Sequence, residues 1–210
     1  MSNKQRFAKF YVNTWTDPKV VSLDFFEERF FIHSWSNLWS IRRISGIYEI
    51  DRGTLISICG FNDQRFAALK KYELETKDKL ISFEVVNKII NSFNSEHKAL
   101  LEYHTPEHIM YVKNYFKFQY RTIGNPTVAT AMILNDYQES KDKAPQFWAE
   151  FGKKNEFDLL SLARKIDNLI ESKKSKQPEK EPIKKLDNEL KELSHLQARY
   201  IDFLQNLSVS

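Results

Sequence analysis

The segment LLEYHTPEHIMYV, from Leu100 to Val112, contains two short apolar runs separated by a polar turn. Pro106 lacks a backbone donor and suits the first central position of a β-turn, so we predict a β-hairpin with a long polar tip. The stretch before it has apolar residues at three- and four-residue spacing, the period of a helix with one buried face. These residues are Phe83, Val86, Ile89, Ile90 and Phe93. A helix followed at once by a hairpin constrains the fold more than any other feature of the chain.

The other side of this predicted helix is polar. It carries Glu84, Asn87, Lys88, Asn91 and Ser92, and Ser82 is placed to cap its start. Asn side chains can pair bidentately with adenine, and Lys contacts guanine or phosphate. Because a winged helix also ends with a helix and then a hairpin, one interpretation is a recognition helix in the major groove of DNA. The alternative is an ordinary polar face exposed to solvent.

Basic and aromatic residues alternate after the hairpin, in the segment KNYFKFQYR from Lys113 to Arg121. Such a segment is suited to follow a phosphate backbone while its rings pack inward. We therefore expect DNA contacts from the hairpin turn and from this segment. The residues concerned are His104, Thr105, His108, Lys113, Lys117 and Arg121.

Composition narrows the class of protein without deciding it. The net charge of +4 and the pI of about 8.9 weakly favour contact with phosphate, although a mildly basic enzyme has the same balance. No apolar run approaches the ~18 residues of a membrane span. The single cysteine, Cys59, excludes an intrachain disulfide, and the N-terminus has no apolar signal core. We expect a cytoplasmic protein that does not contact the membrane.

The sequence offers no pattern typical of an enzyme. None of the five glycines lies in a phosphate-binding loop. His104 and His108 flank Pro106, which disfavours the helix that would bring both imidazoles to one zinc ion. We therefore expect no catalytic residue, no metal and no cofactor.

Local signals predict further elements in the N-terminal half. Asp24 and Glu27 have the spacing of a capping box, so a helix should run from about Phe25 to Leu38. The run TLISIC, Thr54 to Cys59, is too short to assign, and both strand and helix stay open. Two strands, at Phe7–Val12 and Ser45–Ile50, and a helix at Asn62–Glu75 complete the predictions for this half.

In the C-terminal half, Asn125 and Pro126 form a turn signal that opens a helix from Thr127 to about Gln138. The residues of this helix available for burial are Val128, Ala131, Met132 and Leu134. A looser stretch with Pro145, Phe147, Trp148 and Phe151 then leads to a helix from Phe157 to Ile170.

The tail of the chain changes character. Residues 173–182 are charged and lack residues able to form a core, which is typical of a linker. Beyond them an a/d stripe, interrupted at Gln197, comprises Ile183, Leu186, Leu190, Leu193, Tyr200, Leu204 and Leu207. The stripe either binds a partner helix or a second copy of the chain, or folds back on the main domain. The predicted organisation is a winged-helix domain at 1–138, a helical extension at 139–172, a linker at 173–182 and an amphipathic helix at 183–207.

The order of several short motifs resembles a known family. The motifs are Trp15-Thr16-Asp17, Gly46-Ile47-Tyr48, the segment Lys113–Gln119 and Asn125-Pro126, on either side of the predicted helix and hairpin. Over roughly Phe7 to Tyr137 the chain is similar to the N-terminal winged-helix domain of phage replication initiators, also called replisome organisers. It departs from them between Gly60 and Ser82, where it has more residues than the usual linkage, so the register of the second helix stays open.

The resemblance implies binding of double-stranded DNA at a phage or prophage origin. It also implies that the C-terminal part recruits a replicative helicase, a helicase loader or another copy of the chain, as in the related DnaD-like primosome components. The expected fold is mainly α with a small antiparallel sheet, a winged helix-turn-helix followed by C-terminal helices. A winged-helix adaptor that binds protein and a transcriptional repressor are the alternative functions.

Overall fold

The computed structural model describes residues 16–37, 40, 43–60, 83–175 and 183–209. These residues are mainly helical, with one small antiparallel sheet, as the sequence predicts. The chain forms two compact units, Met1–Tyr115 and Phe116–Ser210, which we call unit 1 and unit 2. The division therefore falls at Tyr115, whereas the sequence places the end of the first domain at residue 138.

The described part of unit 1 alternates helices with three short strands. Its elements are α1 (Pro18–Val21), α2 (Phe25–Ser36), β1 (Ile47–Glu49), α3 (Arg52–Ile58), α4 (Phe83–Ser95), β2 (Leu101–His104) and β3 (Ile109–Val112). The sheet has the order β1-β3-β2, and both pairs are antiparallel. The predicted hairpin is therefore confirmed as β2 and β3. Only residues 105–108 separate its strands, so its tip is short rather than long.

The start of α2 follows directly from the sequence. The Asp24 side chain accepts hydrogen bonds from the backbone N–H of Phe26 and Glu27, and Glu27 accepts one from the N–H of Asp24, which completes the predicted capping box. The helix ends at Ser36, before the predicted Leu38, because the Asn37 side chain donates to the carbonyls of the last turn.

Gly46 allows β1 to approach β3 closely. Its φ of +79° lies in the left-handed region, and a Cβ built on it would lie 2.6 Å from the carbonyl oxygen of Val112 and from Cβ of Tyr115. The carbonyl of Gly46 accepts a hydrogen bond of 2.9 Å from the N–H of Val112. Any larger residue at this position would separate the two strands.

The core of unit 1 lies between α2, α4 and the sheet. Val86, Ile89, Ile90 and Phe93 of α4 are all buried, which confirms this part of the predicted apolar face. Phe93 stacks on Phe30 of α2 at 5.7 Å between ring centroids. Burial of each such side chain contributes about 1.5 to 3 kcal/mol, so this face fixes which side of α4 meets solvent.

The undecided run TLISIC is helical up to Ile58, the last residue of α3, and Cys59 is the C-cap of this helix. Asp51 caps this helix through the N–H of Thr54, and Leu55 and Cys59 have no exposed surface. The predicted strand at Phe7–Val12 and the predicted helix at Asn62–Glu75 lie outside the described residues.

All the elements in the described part of unit 2 are helices. Its elements are the helix α5 (Tyr115–Ile123), which begins at the last residue of unit 1, and then α6 (Pro126–Ser140), α7 (Pro145–Ser175) and α8 (Ile183–Val209). Asn125 caps α6 and Pro126 occupies its first turn, as predicted. The predicted buried set was wrong in part, because Val128 and Ala131 are exposed. Ala129, Thr130 and Ile133 are buried instead, on the face that also carries Ser140, which accepts a hydrogen bond from Nε1 of Trp148.

The stretch predicted to be loose is the start of the long helix α7. Phe147, Trp148 and Phe151 are buried at helical spacing on one side of it. The backbone leaves helical geometry only at Asn155, with φ −113° and ψ 15°. Helix α7 extends to Ser175, so the first residues of the predicted linker are helical, and 176–182 lie outside the described residues.

The C-terminal stripe folds back on helices of its own unit, mainly on α7, which belongs to the predicted helical extension rather than to the main domain that the second alternative named. Leu193 packs against Ile166 and Ile170 of α7, and the Tyr200 hydroxyl donates to the carbonyl of Leu159. The prediction that the stripe binds a partner is therefore corrected for Leu193 and Tyr200, which are buried within unit 2. Leu190, Leu204 and Leu207 are partly buried, while Ile183 and Leu186 belong to α8 with side chains outside the description.

Candidate nucleic-acid interface

The start of α3, where this helix meets α4, is capped by Asp51. Asp51 accepts hydrogen bonds from both the N–H and the hydroxyl of Thr54, at 2.9 and 2.6 Å. These donors hold the pKa of Asp51 below its usual value. The first turn of α3, which begins at Arg52, is thereby fixed in place.

Arg52 reaches from α3 to α4. Its Nη1 donates a hydrogen bond of 2.6 Å to Oδ1 of Asn87, and both side chains are half-buried. Sequence reasoning missed Arg52, because it left the run after Gly53 unassigned. The spacing of Asp51 and Thr54, typical of a helix cap, was the signal that places Arg52 in a first helical turn.

The solvent-facing side of α4 presents polar side chains. Lys88 and Asn91 are exposed, and Asn87 lies beside them toward α3. We call Asn87, Lys88 and Asn91 the α4 face. Glu84 belongs to the same helix, but its side chain and the whole of Ser82 lie outside the description.

Ser92 does not belong to the α4 face, which corrects the prediction for this residue. Its hydroxyl donates to Oε1 of Glu27, a buried carboxylate of α2. The same carboxylate lies 3.4 Å from Nε2 of His97. Ser92 is one position past the exposed Asn91, and the helical rotation turns it toward α2, so its role is in packing α4 on α2.

The hairpin tip is tied to the start of α3. The carbonyl of His108 accepts a hydrogen bond of 2.8 Å from the N–H of Ile50, and Nδ1 of His108 lies 2.9 Å from the Tyr103 hydroxyl. That hydroxyl donates to the Ile50 carbonyl at 2.9 Å. Burial raises the pKa of Tyr103 to about 12, so the hydroxyl keeps its proton as a donor. Because Ile50 immediately precedes the cap of α3, the tip and Arg52 lie at the same end of unit 1.

The tip brings an imidazole and a carboxylate into contact. Nε2 of His104 lies 2.7 Å from Oε2 of Glu107, and Thr105 between them is half-buried. His108 has a φ of +55°, a conformation uncommon for a residue with a side chain. Of the predicted tip residues, His104, Thr105 and His108 are thus all at the hairpin turn, where Glu107 contacts His104.

Lys113 is not available to phosphate, which corrects another prediction. Its side chain is buried, its Nζ forms an ion pair with Glu102, and it lies 4.0 Å from the centroid of the Tyr111 ring. Tyr111 and Glu102 are register partners in the hairpin, so the lysine that follows β3 closes over this pair. Lys117 is exposed on α5, in unit 2, and Arg121 is on the same helix with its side chain outside the description.

The described part of the chain includes no group of three His, Cys, Asp or Glu side chains arranged to hold a metal ion. Among the described helices, none combines the length and the apolar character needed to cross a membrane.

Comparison with known proteins found no matching family model, no matching curated protein and no matching solved structure. The class that the fold defines is a mainly helical protein with a three-stranded antiparallel sheet. Any narrower assignment depends on the geometry of the α4 face.

Proposed function

We propose that unit 1 is a winged helix that binds duplex DNA, with α4 in the major groove and the β2–β3 hairpin against the backbone. The main support for this proposal is the division of α4 into a buried apolar side and the α4 face, where Lys88 and Asn91 are exposed to solvent. Among the described elements, the order α2, β1, α3, α4, β2, β3 is compatible with a winged helix, which supports the proposal. The position of the hairpin tip beside the start of α3 supports one continuous surface for DNA.

In the wider role, the protein is a phage or prophage replication initiator that acts in the cytoplasm of its bacterial host. It recognises an origin through unit 1 and recruits a replicative helicase or a helicase loader. This part of the proposal is supported by the motif order around Gly46-Ile47-Tyr48 and Asn125-Pro126, which resembles that of replisome organisers. Both motifs have structural roles here, at the β1 approach and at the cap of α6.

Binding of duplex DNA is tested by fluorescence anisotropy across a series of salt concentrations. With ~4 to 6 phosphates neutralised, the slope of log affinity against log salt should be about −0.9 per contact. The variant Lys88→Ala should reduce the slope by about one contact, and Asn91→Ala should lower discrimination between sequences by about 1 to 3 kcal/mol. Ser36→Ala, at an exposed position of α2, is the matched control and should change neither. Absence of duplex binding at low salt would reject the proposal.

The replication role has a separate test. Duplexes selected from a random pool by the full chain should contain a sequence that recurs as repeats at the origin of the replicon that encodes the protein. A selected sequence found only at promoters would favour the transcriptional repressor instead.

A protein-binding adaptor is the second candidate, and a groove in unit 2 favours it. The groove has a volume of about 600 Å³ between α7 and α8, and its apolar lining includes Leu160, Leu204 and Leu207. Phe157 on α7 is 82% exposed. If this surface binds a purified replicative helicase, Leu160→Glu should abolish co-sedimentation with the helicase, whereas Lys165→Glu elsewhere on α7 should not.

A further inference from the structure

The hydrogen bond between Arg52 and Asn87 fixes how the Asn87 amide is oriented. A guanidinium only donates hydrogen bonds, so the atom that faces Nη1 of Arg52 at 2.6 Å is the oxygen Oδ1. The amide nitrogen, Nδ2, must then lie on the other side of the group. Asn87 therefore presents a defined arrangement of donor and acceptor rather than two interchangeable ones.

This arrangement matches one base edge better than the others. Adenine offers an acceptor, N7, and a donor, the N6 amino group, side by side in the major groove. Nδ2 can donate to N7, and Oδ1 can accept from N6 through its second lone pair while Arg52 occupies the first. Guanine presents two acceptors at the same place, O6 and N7, and leaves Oδ1 without a donor.

The position of Asn87 in α4 is compatible with this role. It lies in the N-terminal half of the helix, the part of a recognition helix that contacts base edges. Lys88 and Asn91 are exposed on the same side. The bond also crosses from α3 to α4, so the orientation of the amide depends on the docking of the two helices.

We propose that Arg52 is a positioning residue that holds the Asn87 amide in the orientation that reads an adenine. This inference rests on the proposed binding of duplex DNA. Its competitor is a purely structural bond, in which Arg52 only joins α3 to α4 and has no effect on the sequence that the protein prefers.

The test is selection of duplexes from a random pool by the full chain, followed by sequencing, for the wild type and four variants. Asn87→Ala should remove the preference for adenine at one position of the selected site. Arg52→Met, which keeps the aliphatic stem but donates nothing, should reduce the preference at that same position by about tenfold or more. Arg52→Lys keeps a donor and should retain part of the preference. Lys88→Ala should weaken binding to all sequences alike and leave the adenine preference intact.

The outcomes separate the two proposals. Loss of preference at the same position in Asn87→Ala and Arg52→Met supports the positioning role. A full adenine preference in Arg52→Met, or no position altered by Asn87→Ala, overturns it while duplex binding stands. Failure of the wild type to bind any duplex overturns the proposed function and this inference together. Thermal unfolding of each variant shows whether it is folded. If Arg52→Met is not folded, Arg52→Lys and Arg52→Gln, which retain a donor, replace it in the test. A reduced adenine preference at the Asn87 position in these variants supports the positioning role, and a full preference in both overturns it.

Discussion

Lys113 and Glu102 form an ion pair beneath the hairpin, with the lysine side chain only 1% exposed. Glu102 also lies 3.3 Å from Lys98, and its own side chain is 13% exposed. The pair joins the residue after β3 to the middle of β2. A lysine that resembles a phosphate contact in sequence is therefore part of the support of the hairpin.

Replacement of Lys113 by alanine should lower stability and leave the electrostatics of DNA binding unchanged. We expect a loss of about 2 to 3 kcal/mol, less than the about 3 to 5 kcal/mol of a fully buried pair, because solvent and Lys98 both reach Glu102. Urea unfolding measures the loss of stability, and the salt dependence of duplex affinity shows whether a phosphate contact is lost. Lys88→Ala should leave the stability unchanged and reduce the salt slope. A reduced salt slope in folded Lys113→Ala would contradict the assignment.

Gly46→Ala should destabilise unit 1 strongly. The left-handed backbone costs an alanine about 1 to 2 kcal/mol, and the contacts of its Cβ with Val112 and Tyr115 add about 1 to 3 kcal/mol. Gly124→Ala is the matched control, since Gly124 has a similar φ of +65° but no atom within 4 Å of its Cβ position. Urea unfolding should show the larger loss for Gly46→Ala. Equal losses would mean that β1 does not approach β3 as closely as described.

The thiol of Cys59 should not react in the native protein. It has no exposed surface, and burial raises its pKa to about 12, so little thiolate forms at pH 8. A thiol reagent followed by absorbance should react only after unfolding, and the single cysteine makes the signal unambiguous. Ser36→Cys, with an exposed second thiol, should react at once with one equivalent. Rapid modification of the wild type would contradict the packing of α3.

His33 should make the protein less stable as the pH falls. Burial, and to a lesser extent the charge of Arg29, hold the pKa of His33 below its usual value of 6.5. A lowered pKa means that, as the pH falls, the unfolded chain binds the proton before the folded protein does. The contribution of His33 to the free energy of unfolding is therefore constant above about pH 6.5 and decreases as the pH drops toward the lowered pKa. Melting temperatures between about pH 7.5 and 5 should fall less steeply for His33→Gln. An identical slope in the wild type and His33→Gln would show that His33 does not cause the loss of stability at low pH.

The elements that could be predicted are those whose signals are local. The capping pattern of Asp24 and Glu27, the turn around Pro106 and the spacing from Val86 to Phe93 each involve a few neighbouring residues. They fix where α2 starts, where the hairpin turns and which side of α4 is buried. Short-range rules apply to such features whatever the rest of the chain does.

The features that could not be predicted depend on contacts far apart in sequence. Ser92 faces inward because Glu27, 65 residues away, lies there to accept a hydrogen bond from its hydroxyl. Arg52 can donate a hydrogen bond to Asn87 only because α3 docks beside α4. The apolar spacing of the stripe that contains Tyr200 is equally compatible with binding to a partner and with packing on α7. Only the folded unit, in which Tyr200 bonds to Leu159 of α7, distinguishes the two. Periodicity gives the apolar face of a helix but not the surface that covers it.

The most direct test of the account is a site-specific crosslink from α4 to DNA. Asn91→Cys carries a photoreactive group on the α4 face, and Ser36→Cys carries it at an exposed position of α2, while the buried Cys59 should stay unlabelled in both. We predict crosslinks to bases from Asn91→Cys and none from Ser36→Cys when both proteins are bound to duplex. Bound duplex without a crosslink from Asn91→Cys, or equal crosslinks from the two positions, would contradict the placement of α4 in the major groove.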